Sequence, residues 1–280
     1  MDHTQLHKRR RGPYTFEVAP SFDPFSAKGP AEVPLERAPL ARVIAQLRFP
    51  PIVSLGRPEF IGPFQEAIRP RYPILRNEQM AGFLVGPGGS LLAQEQTVWR
   101  FHDKADGWRV SLASNFLAIE STVYKDRDDF FKRFDDILVA LDAVAKLTVY
   151  DRLGMRYINR VSGTELERLP SLVRPEVLGV GASSVMGMNH TLTETLFKKD
   201  NVSLNARWGR LPEGATTDPA LLSPIGEPSW VLDLDMFHEG QKDFVCSEVV
   251  EEGLTFARTI HNFFRWCVKD EFLAAYGGEP

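Results

Sequence analysis

Apolar and polar residues alternate over several short segments of this chain, and this alternation constrains the fold more than any other feature. In residues 40–49, apolar side chains occupy every second position, and Arg42, Gln46 and Arg48 lie between them. A period of two predicts a half-buried β-strand. An Asp-Gly pair at 106–107 predicts a hairpin turn. Further strands are predicted over residues 80–86, 95–102, 107–113, 117–123, 149–161, around 183–190, 191–197, 201–208 and 229–237.

Helical periodicity interrupts the strands at four places. The first helical segment begins at a proline and is predicted to bury Phe60, Phe64 and Ile68, which are spaced four residues apart. The two longest segments have apolar residues at spacings of three and four. Glycines and prolines from 209 to 229 predict a long loop. The helices are predicted over residues 58–69, 127–147, 164–174 and about 244–272.

The order of these elements predicts an α+β fold. A largely antiparallel sheet would carry the two long helices on one face, and the chain would consist of two similar β-α-β-β-β(-β)-α halves. Residues 38–148 form the predicted N-terminal half and residues 149–280 the C-terminal half, together one compact unit. Residues 1–37 lack a sustained period and are predicted to be a disordered or extended tail.

Composition narrows the class of protein. The chain has 280 residues and a formal net charge of -4, whereas dedicated nucleic-acid-binding domains are usually basic. Its two cysteines form no CxxC pair, which argues against a disulfide scaffold or a zinc site. No secretory signal or membrane-spanning run is recognisable, so a cytoplasmic protein with no membrane association is expected. The basic cluster Lys8–Arg11 is either a solvated extension or a phosphate-seeking arm.

Several segments of the chain resemble a sporadically distributed bacterial family of uncharacterised proteins of about this length. The resemblance extends from about Ala38 to the final helix. It implies a bacterial protein, and the sporadic distribution suggests mobile or accessory genes such as phage-defence islands. It brings no activity and no catalytic residues. The segments are APLARVIAQLRFPP (38–51), FQEAIRPRYP (64–73), WRFHDKADGWRVSLASNFLAIESTVY (99–124), RLGMRYINRV (152–161), DLDMF (233–237) and HNFFRWCV (261–268).

The polar positions of the alternating strands define a candidate binding face rich in arginine. Guanidinium groups on it could bind phosphate, carboxylate or RNA. The alternative is a solvated sheet face whose arginines pair with acids across neighbouring strands. The candidate binding residues are Arg42, Arg48, Arg152, Arg156, Arg160, Asn205 and Arg207.

Two acids, Asp233 and Asp235, are predicted to share this face. Residues two apart on a strand lie about 7 Å from each other, so two carboxylates could flank a divalent cation. His238 is the nearest further ligand in the sequence. This metal hypothesis would make the protein a phosphodiesterase, and the alternative is a pair of salt-bridged acids.

No catalytic signature is recognisable elsewhere. The GPGG stretch at 86–89 predicts a turn, and the GVGASSVMG stretch at 179–187 lacks the Lys-Ser/Thr of a phosphate loop. The cluster of Phe263, Phe264 and Trp266 is too wide for one buried stripe, so it either broadens the core or contacts a partner. The sequence therefore favours a non-enzymatic binding or adaptor protein without a cofactor, acting on an unknown protein partner or as a homodimer. Nucleic-acid binding and metal-dependent phosphodiester hydrolysis are the alternatives.

Overall fold

The computed structural model of the protein describes residues 23–26, 29–85, 91–182 and 187–280. Its strands form one nine-stranded sheet in the order β2-β3-β4-β5-β1-β6-β9-β8-β7, and every neighbouring pair is antiparallel. The predicted α+β fold with an antiparallel sheet is therefore confirmed. The strands are β1 (Leu40–Arg48), β2 (Ile74–Val85), β3 (Leu91–His102), β4 (Trp108–Ala113), β5 (Phe116–Ser121), β6 (Val149–Ser162), β7 (Thr193–Lys199), β8 (Val202–Leu211) and β9 (Ser229–Asp243).

Two long helices and five shorter ones accompany the sheet in the described residues. No helix in this part of the chain combines the length and the apolar composition that crossing a bilayer requires. The α-helices are α1 (Pro58–Ile68), α2 (Arg127–Ala145), α3 (Gly163–Glu167), α4 (Leu169–Leu172), α5 (Pro175–Leu178), α6 (Cys246–Cys267) and α7 (Asp270–Ala275).

Strands β1 and β6 pair at the centre of the sheet. Outward from this pair, the order is β5, β4, β3, β2 on one side and β9, β8, β7 on the other. Val43 lies opposite Tyr157 and Arg48 lies opposite Arg152 across the central pair. In each half, the chain passes from the central strand to the outermost strand and then returns, strand by strand, toward the centre. That the two halves arose by duplication stays a prediction.

One face of the sheet packs against α2 and α6, which also contact each other. Asp126 caps the start of α2 by accepting a hydrogen bond from the Asp129 backbone N–H at 2.8 Å, and Lys146 ends it with a φ of 50°. The aromatic cluster of α6 belongs to this layer, since Phe263 is buried and its ring lies 5.3 Å from that of Phe197. These contacts therefore support the alternative in which the cluster broadens the core.

Helix α1 buries two of the three residues predicted for its apolar face. Ile61, Phe64 and Ile68 are buried, whereas Phe60 is 45% exposed. Pro63 lies inside the helix on its exposed side. The carbonyl that loses its hydrogen-bond donor there, four residues earlier, also lies on the exposed side, so the helix tolerates the proline.

The predicted tail is partly ordered. Residues 29–39, here called the strap, lie against the helix layer, and Val33 and Leu35 pack on the core. The Arg37 backbone N–H donates to the Tyr276 carbonyl at 3.1 Å. A Cβ on Gly278 would come within 2.7 Å of the Leu35 side chain, so the C-terminal turn and the strap lie close together at this glycine. Of the two alternatives predicted for residues 1–37, disordered or extended, the strap residues in that range correspond to an extended segment.

Other predicted features differ in position or lie outside the described residues. The strand expected around 183–190 is absent from the described residues 187–190, and residues 179–182 form a 3-10 turn. The basic cluster Lys8–Arg11, the 86–89 turn and residues 183–186 lie outside the described residues.

Candidate functional site: the polar face of the sheet

The predicted binding residues share the sheet face opposite the long helices, here called the polar face. Across β6 and β9, Arg156 lies opposite Asp235, and across β8 and β9, Arg207 lies opposite Asp233. Because directly opposed residues of neighbouring strands point to the same side, the register brings the predicted set together. The residues on this face include Arg42, Arg48, Arg152, Arg156, Arg160, Asn205, Arg207, Asp233 and Asp235.

Asp233 is the centre of the ion-pair network on this face, and only 1% of it is exposed. Its Oδ1 accepts from Arg156 Nε at 2.7 Å and its Oδ2 accepts from Arg156 Nη2 at 2.7 Å. Arg207 Nη2 donates to the same Oδ2 at 2.8 Å. Burial lowers the pKa of Arg156, but the hydrogen bonds and charge of Asp233 outweigh that effect and raise it. Both guanidinium groups are therefore held in fixed orientations.

Asp235 is held more loosely. Arg152 Nη2 donates to its Oδ2 at 3.2 Å, and the Arg152 guanidinium also lies 4.5 Å from the centre of the Phe237 ring. Burial raises the pKa of Asp235, and the charge of Arg152 opposes that shift. The two predicted acids thus differ in role, because one is a buried anchor and the other a partly exposed partner.

Arg48 is an exposed arginine at the end of β1, one of the two central strands. It donates from Nε to Gln46 Oε1 at 3.0 Å and has no carboxylate partner among the described residues. Partial desolvation and the charge of Arg152, directly opposite on β6, lower the pKa of Arg48. Arg48 and Arg152 are like charges that face each other, and the charges of Asp235 and Glu239 oppose the lowering of the pKa of Arg48.

Arg160 is not on the open part of the face. Its Nη1 donates to the Ser223 carbonyl at 2.7 Å, in the loop of residues 212–228. Its Nε and Nη2 are buried without a hydrogen-bond partner in the described chain. The same loop covers Ile158 and Val231 with Leu222, and together they form a small apolar cluster. The loop therefore covers the end of the polar face at which Arg160, one of the predicted binding residues, lies.

A second ion-pair cluster, centred on Glu120, lies beside the network of Asp233, and the sequence did not predict it. Glu120 of β5, 6% exposed, accepts from Arg42 Nη1 at 2.7 Å and also pairs with Arg109 of β4. Burial and two neighbouring arginines lower the pKa of Arg109 to about 10. Arg100 Nε pairs with Glu78 Oε2 at 2.6 Å. Alternation places Arg109 on a polar face, but only the β4–β5 register shows that Glu120 lies opposite.

The contacts do not favour a cation between Asp233 and Asp235. Guanidinium groups already occupy both oxygens of Asp233 and one oxygen of Asp235. His238 was wrongly grouped with them, because it lies on the helix side of β9, where its Nε2 is 2.9 Å from the Gly240 carbonyl. In the described ranges, no three His, Cys, Asp or Glu side chains are grouped closely enough to hold a metal ion.

The polar face therefore consists of arginines oriented by partly or fully buried acids. None of the protein-family models, curated proteins or solved structures compared with this chain matches it. The resemblance to a bacterial family stays an expectation. Conclusions about function rest on the contacts of the chain itself.

Proposed function

We propose that this chain is a non-enzymatic binding or adaptor protein that docks a protein partner on the polar face of its sheet. The observation that carries the proposal is the buried carboxylate of Asp233, which fixes the forks of Arg156 and Arg207. Oriented guanidinium donors lose little entropy when they bind a carboxylate or carbonyl, so they favour docking. Arg156 is fully paired, since its Nη1 also donates to Asp218 Oδ2 at 3.2 Å, whereas the side chains of Arg152 and Arg207 remain 16% and 23% exposed.

Charge balance favours a protein over a nucleic acid as the partner. Nucleic-acid affinity comes mainly from cations that neutralise phosphates and release counterions. On the polar face, Glu120, Asp233 and Asp235 already compensate most of the neighbouring arginines. A partner with acidic and neutral acceptors fits such a surface better than a uniformly charged backbone. The resemblance to a sporadically distributed bacterial family suggests a mobile-element or defence setting for that partner.

Site-specific photocrosslinking in the host cell tests the proposal. A benzoylphenylalanine at Gln46, in the middle of the polar face, should give a discrete protein adduct, identified by mass spectrometry. The same amino acid at Val139, which is 54% exposed on α2, serves as the control. An adduct from Gln46 alone supports docking on the polar face, and an adduct of twice the chain mass identifies a homodimer. No adduct at Gln46, or the same adduct from both positions, contradicts the proposal.

The variant Arg48→Glu then tests whether the adduct depends on the positive charge of the polar face. This substitution reverses an exposed charge without breaking an ion pair in the described chain, so the fold should be retained. We expect it to abolish the adduct formed from Gln46. The matched control is Arg258→Glu, an exposed arginine on α6, which should leave the adduct unchanged.

Nucleic-acid binding is the second candidate, and the facing pair of Arg48 and Arg152 favours it. A phosphate between these two like charges would relieve their repulsion. Fluorescence anisotropy of a labelled single-stranded RNA should then show affinity that falls with salt, with a slope of about −1.4 for two phosphate contacts. Affinity independent of salt, or retained in Arg48→Glu, removes this candidate.

A further inference from the structure

A cavity of about 560 Å³ lies on the other side of the sheet, between α6, the central strands and the strap. Its size falls within the range of small-molecule sites, which is roughly 300–1,000 Å³. Its floor includes Tyr157 and Asn159, which alternate on β6 with the arginines of the polar face. The cavity is thus separate from the polar face, although the same strand contributes to both.

The walls of the cavity are partly apolar. Leu35 of the strap, Leu234 of β9, and Ile260 and Phe264 of α6 all line it. Such walls favour the apolar body of a ligand, because removing apolar surface from water stabilises binding.

Three side chains that line the cavity, those of Arg127, His261 and Arg265, each contain a nitrogen atom with unused hydrogen-bonding capacity. Arg127 Nε, His261 Nε2 and Arg265 Nε are each buried and lack a hydrogen-bond partner among the described residues. A buried donor without a partner costs about 1–3 kcal/mol, so such groups usually mark a missing acceptor. An arginine N–H can only donate, which means that the missing group must accept.

Among the described residues that line the cavity, four side chains are cationic and three are acidic, which leaves one positive charge in excess. Glu32 pairs with Arg127 through Nη1 at 2.5 Å, and Asp270 lies 3.5 Å from Arg265 Nη2. Neither carboxylate reaches the Nε atoms. Burial lowers the pKa of His261, the charge of Glu32 opposes that shift, and the two guanidinium groups lower the pKa further.

Two tyrosines add an aromatic wall. The rings of Tyr124 and Tyr157 lie 5.8 Å apart at an interplanar angle of 75°, and both line the cavity. A flat ring of a ligand can pack edge-to-face or offset against such a pair.

We propose that this cavity binds a small aromatic anion, with its carboxylate or sulfonate accepting from Arg127 and Arg265 and its ring against Tyr124 and Tyr157. The aromatic sulfonate 8-anilinonaphthalene-1-sulfonate is a suitable probe, added to the full chain and followed by its fluorescence. We expect saturable binding at one site. Arg127→Gln and Arg265→Gln should each weaken it by about tenfold, the loss expected for one charged hydrogen bond.

Arg258→Gln is the matched control, because Arg258 lies on the same helix but is exposed and outside the cavity. Its affinity for the probe should equal that of the wild type. Circular dichroism checks that the variants are folded. Unsaturable binding, or equal affinity in Arg127→Gln, Arg265→Gln and Arg258→Gln, overturns the proposal.

A competition experiment on the wild type needs no variant. Benzoate should displace the probe, whereas benzamide, which has the same ring but no charge, should not. Equal displacement by both compounds, or by neither, also overturns the proposal.

Discussion

Asp233 is the residue on which the polar face depends most, since it is buried and both of its oxygens accept from guanidinium groups. Asp233→Asn would remove the carboxylate partner of Arg207 and would leave Arg156 paired with Asp218 alone among the described residues. Breaking a buried ion pair by removing one partner costs about 3–5 kcal/mol. We expect a fall of that size in the free energy of unfolding, measured by urea denaturation.

Asp235→Asn provides the comparison for that experiment. Asp235 keeps 27% of its side chain exposed and has one contact with Arg152 at 3.2 Å. Partly exposed pairs contribute about 1 kcal/mol or less. A loss in Asp235→Asn as large as that in Asp233→Asn would show that the network has no buried anchor.

His261 gives the folded chain a predictable dependence on pH. Burial lowers the pKa of His261, the charges of Arg127 and Arg265 lower it further, and the charge of Glu32 and a backbone hydrogen bond at Ala31 oppose the shift. The unfolded chain therefore binds the proton first, at a pKa of about 6.5. Its contribution to stability is complete above that pH and is lost as the pH falls toward the folded pKa.

The variant His261→Gln tests this linkage. Between pH 7.5 and pH 5.5, the free energy of unfolding should fall more steeply in the wild type than in His261→Gln. The other histidines are common to both proteins, so the difference isolates this residue. Parallel pH profiles would mean that His261 has the same pKa in both states.

At the scale of elements, the strap should contribute to stability. Leu35 packs on the core and contacts the C-terminal turn at Gly278. Leu35→Ser removes a partly buried aliphatic side chain, for which a loss of about 1–2 kcal/mol in unfolding free energy is expected. Leu192→Ser is the matched control, since Leu192 is 46% exposed in a loop. Equal effects in a urea titration would mean that the strap is dispensable for stability.

Elements were predictable where local pattern decides them. The alternation of apolar and polar residues located β1 and β6, because each has one buried and one more polar face. Apolar residues at spacings of three and four located α2 and α6. The final helix was predicted as continuous, yet it breaks at Val268, which forms an isolated bridge with Val173. Such a long-range contact leaves no local signal. The sequence left the order of the strap open for the same reason, because that order comes from contacts with residues near the other end of the chain.

The sequence predicted which residues lie on the polar face, but it did not predict which of them form ion pairs with each other. Alternation assigned Arg156 and Arg207 to it correctly, whereas their shared contact with Asp233 depends on the register of three strands. The closure over Arg160 depends on a loop without any periodicity. Which arginines are free to bind a partner is therefore a property of the assembled sheet.

At the scale of the whole molecule, the two halves should fold as one unit. Strands β1 and β6 pair along most of their length at the centre of the sheet, and α2 contacts α6 above it. Separating the halves would expose two unpaired strand edges and the apolar sides of two helices. Residues 29–148 alone and residues 149–280 alone should therefore lack a cooperative thermal transition.

The five tryptophans report on this coupling, because Trp99 and Trp108 lie in the first half and the others in the second. Replacing Trp99 and Trp108 with phenylalanine confines the fluorescence to the second half, while far-ultraviolet circular dichroism reports on the whole sheet. One coupled unit predicts coincident urea midpoints from the two signals. It also predicts that mixing the two fragments restores a cooperative transition that neither has alone. A fragment that unfolds cooperatively by itself, or midpoints that separate, would mean that the continuous sheet joins two domains of independent stability.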